Sequence, residues 1–156
     1  MATNQSLNHF HIRTIEKRDE KRIWEIRNHP EIRKQAFRSE EIPFSFHRIW
    51  FNQRLALDRA KFFVLEKTGP EMLIVGYCRY KPIPQAYEIS IAIDPTYHQQ
   101  GLGSKLMNET PSRVPKRKII ARVKIANKKS KDFFEKNGFS LTRTFSDHYE
   151  LIKQDT

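Results

Sequence analysis

The residues best suited to chemistry stand together in His98-Gln99-Gln100-Gly101-Leu102-Gly103-Ser104. Glycines ahead of a helix let backbone approach a ligand closely, and the first amide N–H groups of that helix have no partner of their own. Such a turn carries partial positive charge and can cradle a pyrophosphate. A lone Gly-x-Gly is equally well a plain strand-to-helix connection. Two other phosphate motifs are excluded. The dinucleotide pattern needs a third glycine where this chain has Leu106, and the P-loop needs a Gly-Lys-Ser/Thr that is absent. Upstream, residues 87–94 alternate, with Ile89, Ile91 and Ile93 on one face and Glu88, Ser90 and Ala92 on the other. The isoleucine face belongs in a core. The small, polar face suits packing against something other than protein.

A second group lies nearer the N-terminus. Arg27, Asn28 and Arg33, with Arg38 and then His47 and Trp50, combine guanidinium groups with aromatic rings. That chemistry suits an anionic ligand carrying a ring. The alternative is that Trp50 is core and His47 lies on the surface.

The elements that must hold these groups follow from periodicity. Residues 9–14 alternate as a strand, Asp19 is placed to cap a helix reaching about Asn28, and Pro30 stops it. A short helical piece over 31–37 follows. Ser45 then reads as the N-cap of a helix to about Leu57, with Phe46, Ile49, Trp50 and Gln53 at helical spacing. Segments 61–67 and 72–80 flank Thr68-Gly69-Pro70 as an antiparallel pair, and 81–85, with Pro82 and Pro84, reads as irregular. Pro95 ends the isoleucine strand. A helix over 102–109, a strand over 118–126, a helix capped by Asn127 and closed by Asn137-Gly138, and strands over 139–145 and 149–152 complete the chain. The order is mixed α/β.

With 156 residues, 38% of them hydrophobic and eleven of them Phe, the chain suits one domain, 1–156, with a real core. No apolar run approaches the roughly 20 residues that span a bilayer, and residues 1–8 lack an apolar signal core. The expectation is a cytoplasmic protein without a membrane partner. Cys78 is the single cysteine, so no intrachain disulfide forms, and its apolar setting marks a structural thiol. The formal charge is +11, and residues 113–131 hold nine basic side chains and no acidic one. Such a balance favours anionic partners, whether a small nucleotide or nucleic acid.

The strand ending Ile91-Ala92-Ile93-Asp94-Pro95, the aromatic-containing loop and the Gly-x-Gly helix resemble the acetyl-CoA-binding segment of the GNAT superfamily of N-acetyltransferases. Asn127, Ser130, Phe134 and Gly138-Phe139 are similar to that family's Asn-x-x-Ala-x-x-x-Tyr-x-x-x-Gly-Phe segment at matching spacing. The resemblance implies a mostly antiparallel twisted sheet of about seven strands flanked by about four helices. It implies that pantetheine pairs with the backbone of Ile91, Ala92 and Ile93. It implies that Gln99, Gln100, Gly101, Leu102, Gly103 and Ser104 hold the pyrophosphate, and that Asn127, Ser130 and Phe134 line the other side, with one of Lys128, Lys129 or Lys131 near a nucleotide phosphate. Two positions depart from the pattern. His98 replaces the usual Gln or Arg, although imidazole still donates to phosphate. Phe134 replaces a tyrosine that protonates the leaving thiolate, and it has no proton to give.

Acetyl transfer needs a neutral amine, an aligned thioester and donors for the developing oxyanion. A backbone N–H in 91–93 can be that donor. Glu88, beside Ser90 on the polar face, is the candidate base, directly or through water, with an edge carboxylate paired to a basic residue as the alternative. The segment Arg27-Asn28-His29-Pro30-Glu31-Ile32-Arg33 with His47-x-x-Trp50 is similar to nucleotide-amino-sugar N-acetyltransferases, including those of the pseudaminic acid pathway. It implies a small-molecule amine acceptor, with a nucleotide sugar as the specific form, and a homodimer is compatible with it. The competing readings are acetylation of a protein N-terminus or side-chain amine, and a non-catalytic CoA- or nucleic-acid-binding domain. Nucleic acid is disfavoured, because the basic residues of 113–131 lack interleaved surface aromatics.

Overall fold

The computed structural model describes residues 9–154. Seven strands, β1 Phe10–Thr14, β2 Phe62–Lys67, β3 Leu73–Ile83, β4 Ala86–Ile93, β5 Lys118–Lys124, β6 Ser140–Thr144 and β7 His148–Lys153, form one sheet in the order β1-β2-β3-β4-β5-β7-β6. Five helices flank it: α1 Glu20–Asn28, α2 Pro30–Gln35, α3 Phe44–Leu57, α4 Leu102–Glu109 and α5 Lys128–Lys136. Every neighbouring pair of strands is antiparallel except β4 and β5. This is the mixed α/β architecture expected, with the short α2 bringing the helices to five.

The sheet is covered on both faces, which explains why β2 reads as a nearly continuous apolar run instead of an alternation. Phe63, Leu65, Tyr80, Tyr87 and Ile89 pack under Leu102, Leu106 and Phe134 of α4 and α5. Phe62, Val64, Tyr77 and Ala92 pack under Ile23 and Ile26 of α1 and Phe51 of α3. Burying one such side chain contributes about 1.5–3 kcal/mol.

The parallel junction is short. Ala86 pairs with Lys118, Tyr87 with Ile119 and Glu88 with Ile120, and there the ladder stops, although β4 continues to Ile93 and β5 to Lys124. On its other side β4 stays paired with β3 as far as Ile93 opposite Gly76. From Ile89 onward β4 therefore has one ladder and one open edge.

Four local expectations are corrected. Asp19 precedes α1 but does not cap it. Its carboxylate accepts from Arg13 at 2.8 and 2.9 Å and from the Glu16 amide at 2.7 Å, because a half-buried guanidinium is the stronger partner. The residue before α3 is Pro43, so Ser45 lies inside the first turn. Residues 81–83 are strand: past the Phe62–Arg79 pair β3 has no β2 neighbour, so Pro82 costs no ladder bond on that side. Phe46 and Ile49 are exposed, and α3 buries His47 and Phe51 instead.

Candidate functional site

The turn after β4 has the backbone geometry of a ligand cradle. Asp94 caps the single turn Pro95–Tyr97, accepting from the Thr96 amide at 3.0 Å. Gln99 and Gly101 then adopt positive φ, 63° and 75°. At Gly101, the N-cap of α4, a Cβ would meet nothing within 4 Å, so the backbone faces open space. The first amide bonded within the helix is that of Lys105, to the Gly101 carbonyl. The N–H groups of Leu102, Gly103 and Ser104 precede it and have no intrahelical acceptor.

Other residues of this stretch are occupied by the fold. Gly103 is a packing glycine: a Cβ there would stand 2.9 Å from the Phe133 ring, which lets α4 and α5 meet closely. His98, exposed, donates through Nε2 to the Ile93 carbonyl at 2.8 Å, so this imidazole pins the turn to β4. Ser104 accepts from Asn137 at 3.3 Å. Asn127 caps α5, accepting from the Ser130 amide at 3.1 Å while its Nδ2 donates to the Ser130 hydroxyl at 2.8 Å. Phe134 is buried edge-on against Phe133 and Phe139. Lys131 pairs with Glu135 at 2.6 Å, while Lys128 and Lys129 are exposed.

On β4, Ile91 and Ile93 are partly buried against the α4 side, Ala92 is buried on the α1 side, and Ser90 is exposed. Glu88 forms an ion pair with Arg122 of β5, which also lies 3.9 Å from Glu150. Glu88 stands on the last β4–β5 pair, where the two strands part.

A cleft of about 430 Å³ opens between α1, α2, the segment 36–43 and the start of α3. It is lined by Arg27, Arg33, His47 and Trp50, four of the five residues singled out for the acceptor, together with Arg38 and Tyr77. Asn28, the fifth, braces its wall instead: its side chain donates to the Ile42 carbonyl and accepts from the Ile42 amide, both at 2.8 Å. Arg33 is likewise fixed, donating to the carbonyls of Asn28 at 3.0 Å and Ser39 at 3.1 Å. His47 is fully buried, donating through Nε2 to the Glu20 carbonyl at 2.7 Å and accepting at Nδ1 from Arg27 at 2.9 Å. Burial pushes its pKa down to about 4, so it is neutral at physiological pH, with both nitrogens engaged. It positions Arg27, whose guanidinium carbon stands 4.1 Å from the Trp50 ring centroid.

One lining residue, Tyr77, and one neighbour of Trp50, Arg79, escaped the sequence reading. Tyr77, in the cleft floor, pairs in register with Ala92 of β4, and Arg79 stands opposite Ser90. Their signal was the alternation of Tyr77 and Arg79 within a segment read only as apolar. Cys78 between them is buried, and burial pushes its thiol up to about 12, so it offers no nucleophile. Among the described residues there is no cluster of side chains suited to a metal ion, and no helix is long and apolar enough to cross a membrane.

Residues 14–139 match the profile of the acetyltransferase (GNAT) family. No curated protein sequence matches the chain. Solved structures similar to it include a spermidine N-acetyltransferase from Vibrio cholerae in complex with CoA and spermine, with a TM-score of 0.75 and 20% identity over 93% of this chain and 95% of that one. A protein from Salmonella typhimurium solved with its cofactor acetyl-CoA gives 0.73 and 20% over 93% of each chain. An N-acetyltransferase from Staphylococcus aureus Mu50 gives 0.73 and 18% over 93% and 98%.

Proposed function

This chain belongs to the acetyltransferase (GNAT) family and is an acetyl-CoA-dependent N-acetyltransferase, and from that premise we propose that its acceptor amine enters through the cleft of Arg27, Arg33, His47 and Trp50. The single observation that carries this reading is the place of β4. Its far end runs into the glycine turn, and its Ala92 pairs with Tyr77 in the cleft floor. One strand thus serves both substrates.

The cofactor site fits its ligand. The open edge of β4 leaves main-chain groups at Ile91, Ala92 and Ile93 for pantetheine, and the amides of 102–104 with the αL residues Gln99 and Gly101 suit a pyrophosphate. Gln100 belongs to the same cradle, and His98 shapes it from below. Asn127 and Ser130 support it by ordering the start of α5, and Lys128 or Lys129 is free to reach a phosphate. Phe134 acts as core. Acetyl-CoA supplies an activated acetyl group as a thioester; the chain's own residues orient the amine and move its proton.

Glu88, at the fork of β4 and β5, is our proposed base, relaying the proton through water past Ser90. Its pairing with Arg122 fixes the carboxylate at the fork. With Phe134 unable to act as an acid, the thiolate leaves without protonation by that residue. For the acceptor we propose a nucleotide-linked amino sugar, of the kind handled in the pseudaminic acid pathway, because Trp50 offers a ring face beside Arg27. The Vibrio cholerae relative is named for spermidine, which makes a polyamine the reading to set against it. We further propose a single domain over 1–156 acting in the cytoplasm, with a homodimer as the assembly to test by light scattering.

The test has two steps. Acetyl-CoA should raise the melting temperature, and no protection would remove the cofactor reading. A thiol-release screen with a UDP-linked amino sugar, N-terminal peptides and polyamines should then show transfer to the sugar. Glu88→Gln should lower kcat at least tenfold with acetyl-CoA affinity unchanged, and unchanged turnover would eliminate Glu88 as base.

A further inference from the structure

Arg27 differs from Arg13, Arg22, Arg54, Arg79 and Arg122 in what it faces, and from Arg33, whose guanidinium is held by two backbone carbonyls. Arg13 reaches Asp19 and Glu66, Arg22 reaches Asp94, Arg54 and Arg79 share Asp58, and Arg122 reaches Glu88 and Glu150. Among the described residues no carboxylate lies within ion-pairing distance of Arg27. Its recorded partners are a neutral imidazole and the face of Trp50. Burial disfavours its charged form, and no acidic side chain offsets that. A half-buried cation without a counter-ion costs stability, and an anionic ligand at Arg27 would offset that cost.

The surroundings say where that ligand lies. Arg27 lines the cleft together with Tyr77 and Trp50, and the Arg79 guanidinium, paired with Asp58, faces the Trp50 ring at 5.5 Å, so Arg27 brings the uncompensated positive charge to this aromatic wall. Arg33, Arg38, Glu40 and Glu41 also line the cleft, two charges of each sign. His47 holds one Arg27 nitrogen in place, which leaves the remaining N–H groups for an anion.

Resting on the acetyltransferase reading above, we propose that Arg27 is the specificity residue of the acceptor site and receives an anionic group of the acceptor, a carboxylate or a phosphate, against the face of Trp50. The substrate is then an amine that also carries negative charge. A polyamine brings only cations to Arg27 and Arg79 and is disfavoured.

Initial rates at saturating acetyl-CoA, compared across a panel of amino acids, a UDP-linked amino sugar, an amino-sugar phosphate and spermidine, test this. Amines bearing carboxylate or phosphate should be acetylated with a KM at least tenfold below that of spermidine; preference within the panel distinguishes the two anions. Arg27→Met should raise the KM of the preferred anionic amine about 10- to 100-fold, the loss expected for a charge-assisted contact, with a smaller change in kcat. Arg27→Lys should recover part of it. The melting temperature of Arg27→Met should stay close to that of the wild type, since removal of an uncompensated charge offsets the His47 Nδ1 acceptor left without its donor. Calorimetric affinity for acetyl-CoA should stay within twofold. Spermidine used as well as the anionic amines, or an Arg27→Met variant with unchanged KM, would overturn the proposal while leaving the acetyltransferase reading intact. A separate readout needs no turnover. The N-acetylated product of an acidic amine should protect the wild type, but not Arg27→Met, against thermal unfolding, and equal protection of both would also overturn it. Loss of acetyl-CoA binding by the wild type would instead strike the underlying reading.

Discussion

His47 shows how far one residue can depart from its usual behaviour. Its ring is enclosed by Phe44, Trp50 and Phe51, and both nitrogens are satisfied. Its pKa falls from 6.5 to about 4 because burial penalises the charged form. The unfolded chain therefore takes up a proton below pH 6.5 that the folded chain refuses until about pH 4. Stability from this group is complete above pH 6.5 and is lost as the pH falls towards 4. Between pH 7 and 5 that loss is about 2 kcal/mol. Denaturant unfolding of wild type and His47→Gln at both pH values checks it: the variant should lose about 2 kcal/mol less. This residue was legible only as a polar member of a site. Nothing in residue type announces that a histidine will be buried, because the decision rests on Arg27 and the Glu20 carbonyl, which come from another helix.

At the scale of elements, α1 is tied to the cofactor turn as well as to the cleft. Arg22 donates to the Ile74 carbonyl at 2.8 Å and to Asp94 at 2.5 Å, and Asp94 holds the start of the turn Pro95–Tyr97. The helix that presents Arg27 thus also braces the strand end beside the proposed pyrophosphate cradle. Arg22→Met should cost about 1–3 kcal/mol in denaturant unfolding, since it leaves a half-buried carboxylate unpaired. It should also weaken acetyl-CoA binding severalfold by calorimetry, an effect not expected of Arg27→Met. Elements governed by local signals were readable from the chain: α4 begins and ends where glycine and proline place it, and Asn127 caps α5. The buried side of α3 was not. Phe46 and Ile49 are more apolar than His47, yet His47 with Phe51 faces α1 and β2, and that choice is made by the neighbours. The extent of β3 was hidden for a similar reason. Pro82 forbids strand only where an N–H is needed, and whether β2 reaches that far is a tertiary matter.

The whole molecule carries a formal charge of +11 and binds a polyanionic cofactor. Nine basic residues in 113–131 span β5 and the start of α5, beside the open edge of β4. Long-range attraction of this kind accelerates encounter and is screened by salt. Stopped-flow association of acetyl-CoA should slow roughly tenfold between about 0.05 and 0.5 M salt, while the melting temperature does not fall in parallel. The seven-stranded architecture was legible from the order of elements. The parting of β4 from β5 was not, because the crossover through α4 sets where two parallel strands meet. That seam has a mechanical meaning. Three residue pairs join a four-stranded half to a three-stranded half. Under tension applied across the sheet, rupture should begin at 86–88 and 118–120, and a ligand bridging β4 and α5 next to the fork would act as a rivet against it.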